Sequence, residues 1–283
     1  MALEALGRGA LTRYRGVFIG EAQDFSTSAL RFAVGLLDER YDDLMVVADA
    51  AQNIFRRKFT WEAAGINAVG RRTRTLDVNY RNTKETVELA AAFLLQDAKL
   101  STAATPDLED ENTIVPPEKA VRNGPLPTVS IVVDEESIQL VVRQVEALLQ
   151  RAQAPRGIAV LYLNRWDGQP LRDALAAANV DHFWVTDPAA PDNKNVVAQA
   201  AEPVILSTVH SAKGLEFRHV VLCCDPGQDQ DLDELRRTVY VGMTRAIEQL
   251  LVVATTGHPL VEALEAAALD RARLRRAPVE PAA

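Results

Sequence analysis

The chain has 283 residues, of which 48% are hydrophobic and 25% are charged, and its formal net charge at pH 7 is −8. This composition is typical of a globular protein of one or two domains. No apolar run approaches the roughly 20 residues needed to cross a bilayer, which excludes a membrane-spanning class. The negative net charge argues against non-specific binding of polyanions, although it is compatible with a local basic groove.

Two features of the sequence predict a cytoplasmic location. The first residues lack the basic-then-apolar pattern of a signal peptide. Cys223 and Cys224 are adjacent in the apolar run VVLCCD. Because neighbours on a strand point to opposite faces, these two thiols are poor partners for a mutual disulfide. A reducing compartment therefore fits the sequence best.

Apolar runs and helix caps predict the elements of the first part of the chain. Strands are predicted at residues 17–19, 44–48 and 73–78. A helix is predicted after Ser26, and a second one opens in NYRNTKETVELAAAFLL, where Asn82 and Glu85 are spaced like a capping box. Residues 99–126 are rich in Pro, Asp and Glu and are predicted to form a loop or insertion.

The remaining chain alternates between predicted strands and helices. The predicted strands are TVSIVV (128–133), GIAVLYL, HFWVT, PVILST, HVVLCC and QLLVVAT. The predicted helices are the apolar stripe from Ile138 to Leu149, PLRDALAAANV, DLDELRRTVYVGMTRAIE and residues 259–275, with a linker at 187–202. This alternation predicts an α/β protein with mostly parallel sheets.

Polar side chains follow several of these strands, where parallel sheets place their binding sites. Arg is well suited to a phosphoryl group because its planar fork donates two hydrogen bonds and stays charged. A Gln can contact a terminal phosphate without adding charge. The residues that indicate a phosphate-handling site are Glu21, Gln52, Arg81, Thr208, His210, Glu216 and Arg245.

Five stretches resemble, in order, motifs of superfamily 1 DNA helicases of the UvrD/Rep/PcrA type. GEAQD resembles the Walker B motif, usually DEAQD or DEFQD, and ADAAQNIF resembles the third motif, GDxxQSIY. LDVNYRN resembles the fourth motif with its NYRS. STVHSAKGLEF and RRTVYVGMTRA are nearly identical to the fifth and sixth motifs. The chain is therefore similar, over residues 17–253, to the C-terminal portion of such a helicase.

The resemblance implies a fold and a set of ligands. The fold would consist of RecA-like parallel sheets of the P-loop NTPase type. A truncated first core domain would span residues 1–72, a near-complete second core domain 73–258, and a C-terminal helix and tail 259–283. ATP and Mg²⁺ are the implied cofactors, and single-stranded DNA is the implied nucleic-acid partner.

The resemblance also implies residue roles. Glu21 would be the general base on water. The residues implied to bind the nucleotide are Gln52, Arg81, Gly214, Glu216 and Arg245, with Arg245 as a finger from the second domain and Glu216 on the ribose. Those implied to contact the single strand are Phe55, Thr208 and His210. Structural alternatives stay open: Glu21 as a solvated loop acid, either Arg in an ion pair, His210 as a structural histidine and Phe55 in a core.

Two departures from the family pattern change the expected function. The 283 residues contain no Gly-Lys pair, although the phosphate loop G-x-x-x-x-G-K-[ST] needs one, and only 16 residues precede the Walker B strand. Gly20 stands where the family has its metal-holding Asp. The chain alone is therefore expected not to hydrolyse ATP.

Three functions are compatible with these departures. The first is a truncated helicase module that binds nucleic acid or a partner protein. The second is a subunit of a split ATP-dependent helicase whose phosphate loop comes from another chain. The third is a structural adaptor. Truncation should also leave Val17, Phe18, Ile19 and the strand LMVVA uncovered, which predicts self-association or a partner that completes the sheet.

Overall fold

The structure is a computed structural model that describes residues 11–38, 40–41, 43–49, 61–68, 72–74, 76, 78–95, 119–151, 157–164, 168–188, 203–226, 231–269 and 273–276. Of these, residues up to Leu76 form one compact unit and those from Val78 onward form a second. Among the helices of these ranges, none has the length and apolar character of a membrane span.

The first unit is built on two parallel strands joined through a helix. Strand β1 (Gly16–Ile19) pairs with β2 (Asp43–Val46), with Gly16 opposite Asp43. Helix α1 (Thr27–Gly35) starts after Ser26, whose hydroxyl accepts a hydrogen bond from the Ala29 amide. β1 confirms the predicted strand at 17–19 and α1 confirms the predicted helix start, whereas β2 overlaps the strand predicted at 44–48 but ends at Val46. A small core holds them together and contains Ile19, Ala22, Leu30 and Ala64.

Only one face of this strand pair is exposed. Phe18 is 77% exposed and its partner in register, Met45, is 55% exposed. Ile19 is buried, and Val17, Leu44 and Val46 pack against the small core, so the expectation that these four residues would be uncovered is wrong. The reason is the strand period of two, which turns alternate side chains towards α1 and its neighbours.

The second unit contains a small sheet and a large one. Strands β3 (Asn79–Thr83) and β4 (Ala120–Arg122) form a two-stranded parallel sheet. The large sheet is parallel and has the order β11-β5-β10-β9-β6-β8-β7. Its strands are β5 (Thr128–Val132), β6 (Ile158–Tyr162), β7 (His182–Trp184), β8 (Val204–Thr208), β9 (Phe217–Cys224), β10 (Ala246–Thr255) and β11 (Arg273–Arg276).

Helices cover both faces of the large sheet. They are α2 (Lys84–Leu94), α3 (Asp134–Arg151), α4 (Gly168–Ala177), α5 (Leu232–Met243) and α6 (Pro259–Leu269). The connections β5–α3–β6 and β9–α5–β10 cross the sheet in opposite directions. Because parallel crossovers are right-handed, α3 and α5 lie on opposite faces. Helix α4 packs against α3, whereas α2 and α6 pack against α5.

This coverage explains the strand sequences and confirms the predicted α/β class. Strands β6 and β8 are buried at every position, as expected for a parallel sheet with helices on both faces. Cys223 and Cys224 are both buried and unbridged. Burial raises the pKa of the Cys224 thiol to about 12, so this thiol stays protonated at neutral pH.

Four predicted elements are wrong here, and the first is the loop predicted over residues 99–126, which contains β4 (Ala120–Arg122). The strand predicted at 73–78 lies too early in the chain, since the observed strand, β3, begins at Asn79. Its position follows from the pairing of Asn79 and Thr83 with the remote β4. The helix predicted over 259–275 ends at Leu269, and β11 then joins the sheet edge. The helix predicted through RAIE ends at Met243, and Ala246 already belongs to β10.

The predicted capping box is also wrong by one residue. Helix α2 is capped by Thr83, whose hydroxyl accepts from the Thr86 amide at 3.4 Å. Glu85 accepts instead from the Gly124 amide at 2.8 Å. Asn82 is therefore not a helix cap and is available for contacts elsewhere in the second unit.

Candidate functional site

In the first unit, the polar site lies where β1 and β2 end. Glu21 follows β1 in a left-handed conformation, with φ 52°, and is exposed. The buried side chain of Gln23 donates to Glu21 Oε2 at 2.6 Å and accepts from the Asp49 amide at 2.9 Å. Since a backbone N–H can only donate, its contact fixes which way round the Gln23 amide lies. Gln23 thus holds the predicted general base beside the end of β2.

Among the described residues at this edge, the metal-holding carboxylate of the resembling motif is missing. Gly20 has no side-chain ligand, and one oxygen of Glu21 already accepts from Gln23. Within the described ranges, no three His, Cys, Asp or Glu side chains come together as a metal-binding group. Two residues predicted to act here, Gln52 and Phe55, lie outside the described residues.

The second unit brings together three stretches that are far apart in the sequence. Arg81 of β3 donates from Nε to Glu216 Oε2 at 2.8 Å. Glu216 lies in the loop between β8 and β9. The side chains are 48% and 50% exposed, so a ligand in solution can reach both. Arg81 is therefore in an ion pair, which was one of the alternatives left open by the sequence, and its guanidinium is still accessible to solvent.

Two asparagines shape the chain around Arg81. The Asn79 side-chain oxygen accepts from the backbone amides of Arg81 and Asn82, each at 2.9 Å. Its nitrogen donates to Asn82 Oδ1 at 3.1 Å. Asn82 Nδ2 in turn donates to the carbonyls of Thr244 at 2.8 Å and Ala246 at 2.7 Å. β3 is thereby tied to the turn between α5 and β10.

Arg245 occupies that turn and is 1% exposed. Its guanidinium donates to the carbonyls of Val241 at 3.1 Å and Leu215 at 3.3 Å. Its own carbonyl accepts from the Phe217 amide at 2.9 Å. Arg245 therefore contacts the backbone on both sides of Glu216. In this arrangement its guanidinium is buried, whereas the resemblance implies a finger that reaches a phosphate.

A closed set of contacts, which we call the four-residue ring, joins Arg81, Asn82, Arg245 and Glu216. Arg81 pairs with Glu216, Asn82 holds the carbonyls that flank Arg245, and Arg245 holds the backbone that flanks Glu216. Arg81 and Asn82 are covalent neighbours, which closes the ring. The ring fixes two accessible charges, Arg81 and Glu216, on a buried polar frame.

The loop between β8 and β9 supplies the remaining predicted residues. Thr208 is buried, and its hydroxyl accepts from the Ser211 amide at 3.1 Å, so it shapes the loop. Gly214 has φ +83°, a conformation that favours glycine. His210 is half-buried; burial lowers the pKa of its imidazole, with nearby Glu234 opposing the shift and Lys213 adding to it.

Sequence reasoning missed Gln23, Asn79 and Asn82. Gln23 stands inside the motif stretch GEAQD, and Asn79 and Asn82 are the first and last residues of NYRN, which is the one signal that could have singled them out. Their partners are invisible in the sequence, because Asn82 bonds to residues 162 and 164 positions away.

One family model matches the part of the chain that holds the fifth and sixth motif stretches. Residues 203–253 match the model of the UvrD-like helicase C-terminal domain. These residues include Thr208, His210, Glu216 and Arg245. Over these residues, the match confirms the predicted resemblance to a UvrD-type helicase C-terminal portion. No curated protein sequence matches the chain significantly.

Among solved structures, the chain is similar to the C-terminal domain of a possible DNA helicase from Lactobacillus plantarum WCFS1. The identity is 20% and the TM-score is 0.49. The similarity covers 69% of this chain and 98% of that one.

Proposed function

We propose that this UvrD-like helicase module does not hydrolyse ATP by itself and that it presents Arg81 and Glu216 to a nucleotide. The phosphate loop would come from a segment outside these 283 residues or from another protein, since they contain no Gly-Lys pair. In the second case the module is a subunit of a split helicase. The observation that carries the proposal is the half-exposed Arg81–Glu216 pair on its buried frame.

The exposed groups suit the two ends of a nucleotide. The Arg81 guanidinium can donate two parallel hydrogen bonds to phosphate oxygens. The Glu216 carboxylate can accept from ribose hydroxyls. Tyr80, beside Arg81, is 71% exposed and offers a ring on which a base can stack. ATP, when bound, supplies the phosphoryl group; the described residues of this chain contribute charge and orientation.

Nucleotide binding and turnover give the test of this proposal. The unmodified chain should bind a fluorescent ATP analogue weakly, and Arg81→Ala should weaken that binding further, as expected for the loss of a charge-assisted hydrogen bond. Arg172→Ala is the matched control, since Arg172 is a partly exposed Arg paired with Asp173 on α4. ATP turnover of about 1 s⁻¹ or more by the pure chain would contradict the proposal.

Single-stranded nucleic acid is the second proposed ligand. The support is the helicase-type match together with His210 and Lys213 on the partly exposed loop between β8 and β9. Because the chain is acidic overall, binding should be weak and should fall steeply with salt.

The test uses a fluorescent oligothymidylate at several salt concentrations. Lys213→Ala should reduce the salt slope by roughly one, whereas Lys84→Ala, which removes a cation that faces Glu88 on α2, should not. If the unmodified chain does not bind at low salt, the structural-adaptor function is favoured instead.

The exposed face of the β1–β2 pair supports a third contact. Phe18 and Met45 lie side by side in register, and Val47 next to them is also exposed. Exposed apolar area costs about 25 cal/mol per Å². This face therefore suits a second copy of the chain or the partner that carries the phosphate loop.

Light scattering tests this contact directly. Self-association that is lost in Phe18→Ser but kept in Leu269→Ser, a change at another exposed apolar residue, would support the face. A stable monomer that binds no hydrophobic dye would rule the face out as a contact surface.

A further inference from the structure

The side chain of Asn82 has a fully defined hydrogen-bonding environment. It is 3% exposed, and Nδ2 lies 2.8 Å from the Thr244 carbonyl and 2.7 Å from the Ala246 carbonyl. Carbonyl oxygens can only accept, so the nitrogen must face them and both of its hydrogens are used. The Asn79 amide donates to Asn82 Oδ1. Each polar atom of this buried carboxamide thus has a partner.

The two residues whose carbonyls accept from Asn82 flank Arg245 in the sequence. In the same way, Arg245 binds two residues that flank Glu216. Arg245 donates to the Leu215 carbonyl and accepts from the Phe217 amide, and these two residues flank Glu216. Glu216 then meets Arg81, the covalent neighbour of Asn82. Two pairs of hydrogen bonds to backbone groups therefore connect Asn82 to the accessible ion pair.

We propose that Asn82 is a positioning residue, which fixes Arg245 and through it the nucleotide-facing pair of Arg81 and Glu216. The nucleotide as the ligand of this pair comes from the proposed function, whereas the positioning role of Asn82 does not depend on it. Removing the Asn82 donor leaves two carbonyls without this bond in a buried place, which weakens the turn that holds Arg245. The loop around Glu216 then opens locally while the sheet stays folded.

A merely structural asparagine would act differently. Its loss would lower the stability of the whole second unit and affect all slowly exchanging amides by a similar factor. The amide of Phe217 separates the two cases, because it donates to the Arg245 carbonyl and lies next to Glu216. The amide of Val252, in the interior strand β10, serves as the reference.

The experiment is residue-resolved hydrogen exchange by NMR on the full chain. Asn82→Asp keeps the shape but replaces the donor by an acceptor. It should reduce the protection of Phe217 about tenfold more than that of Val252. The control is Thr86→Ala, which changes another buried polar residue outside the ring and should reduce both by the same factor. An equal reduction of both amides in Asn82→Asp would overturn the proposal.

A measurement on the unmodified chain keeps the test valid if Asn82→Asp does not fold. The carboxamide protons of Asn82 should exchange as slowly as the Phe217 amide, because one opening releases both. Fast exchange of the carboxamide with a protected Phe217 would overturn the proposal. Nucleotide binding by Arg81→Ala is measured separately, so an unchanged affinity there would refute the proposed ligand and leave the positioning role standing.

Discussion

Arg81 and Glu216 neutralise each other across 2.8 Å at the surface of the second unit. Each side chain is about half-exposed, and ion pairs in such places are worth about 0–1 kcal/mol. A phosphate group that approaches Arg81 therefore competes with a weak internal partner. The carboxylate of Glu216 lowers the affinity of Arg81 for an anion that lacks a ribose.

The first prediction follows from this competition. Glu216→Gln should bind inorganic tripolyphosphate more tightly than the unmodified chain, by up to about fivefold, because it removes a competing charge worth about 1 kcal/mol at most. Isothermal titration calorimetry measures the affinity. Asp173→Asn, which releases Arg172 from a similar exposed pair on α4, should leave the affinity unchanged. Equal affinities for the Glu216→Gln and unmodified chains would refute the predicted competition between Glu216 and the anion for Arg81.

The second prediction concerns the burial of Arg245. Arg245→Ala should reduce the free energy of unfolding by roughly 2–4 kcal/mol, because it leaves the Val241 and Leu215 carbonyls without these buried donors. Arg81→Ala should cost less than about 1 kcal/mol, since Arg81 is half-exposed. Urea denaturation followed by circular dichroism gives both values. If the Arg245→Ala chain were as stable as the Arg81→Ala chain, the side chain of Arg245 would have to reach into solvent in the unmodified protein.

The third prediction concerns Gly20. A Cβ atom built at this position meets nothing within 4 Å, so Gly20→Asp should fold with a stability within about 0.5 kcal/mol of the unmodified chain. It should not create ATP hydrolysis, because the phosphate loop is still missing from the chain. A phosphate-release assay with and without single-stranded DNA checks this. Turnover in Gly20→Asp alone would refute the need for a loop from elsewhere.

The fourth prediction concerns pH. Burial lowers the pKa of His210 and of His219, whose Nδ1 has no hydrogen-bond partner among the described residues. Below the ordinary histidine pKa of about 6.5, the unfolded chain therefore binds more protons than the folded one. The free energy of unfolding should therefore be highest above that pH. It should decrease as the pH falls towards the lowered pKa values of the two folded-state histidines.

Denaturation at pH values between 5.5 and 7.5 tests this sign, because carboxylates titrate mostly below that range. His210→Asn and His219→Asn should each flatten the pH dependence, and the double variant should flatten it most. A stability that rises as the pH falls from 7 to 6 would refute the assignment.

Strands β5 to β10 of the large sheet were predictable because helices on both faces demand continuous apolar runs, whereas the charged edge strand β11 has no such run. NYRNT in β3 contains no such run, and its partner β4 lies some 40 residues away, so periodicity placed the strand too early. The position of β3 depends on the bonds from Asn82 to the carbonyls of Thr244 and Ala246, which no local pattern records.

The sequence predicted which residues come together at the candidate site, but it did not predict which of them are buried. Motif resemblance found Arg81, Glu216 and Arg245, and the structure places all three in one ring. Arginine is seldom fully buried, so nothing in the sequence indicates that Arg245 lies inside while Arg81 stays accessible. That difference arises from the turn between α5 and β10, which encloses Arg245 among backbone carbonyls.

The last strand has a consequence for aggregation. β11 pairs in parallel with β5 and thereby covers the TVSIV segment, whose composition favours β-strand pairing between chains. The sequence of β11 itself is RLRR, and charged residues at a sheet edge discourage further pairing. A chain that stops after Leu269 would expose the free hydrogen-bonding edge of β5. We expect it to form β-rich aggregates under conditions in which the full chain stays in solution.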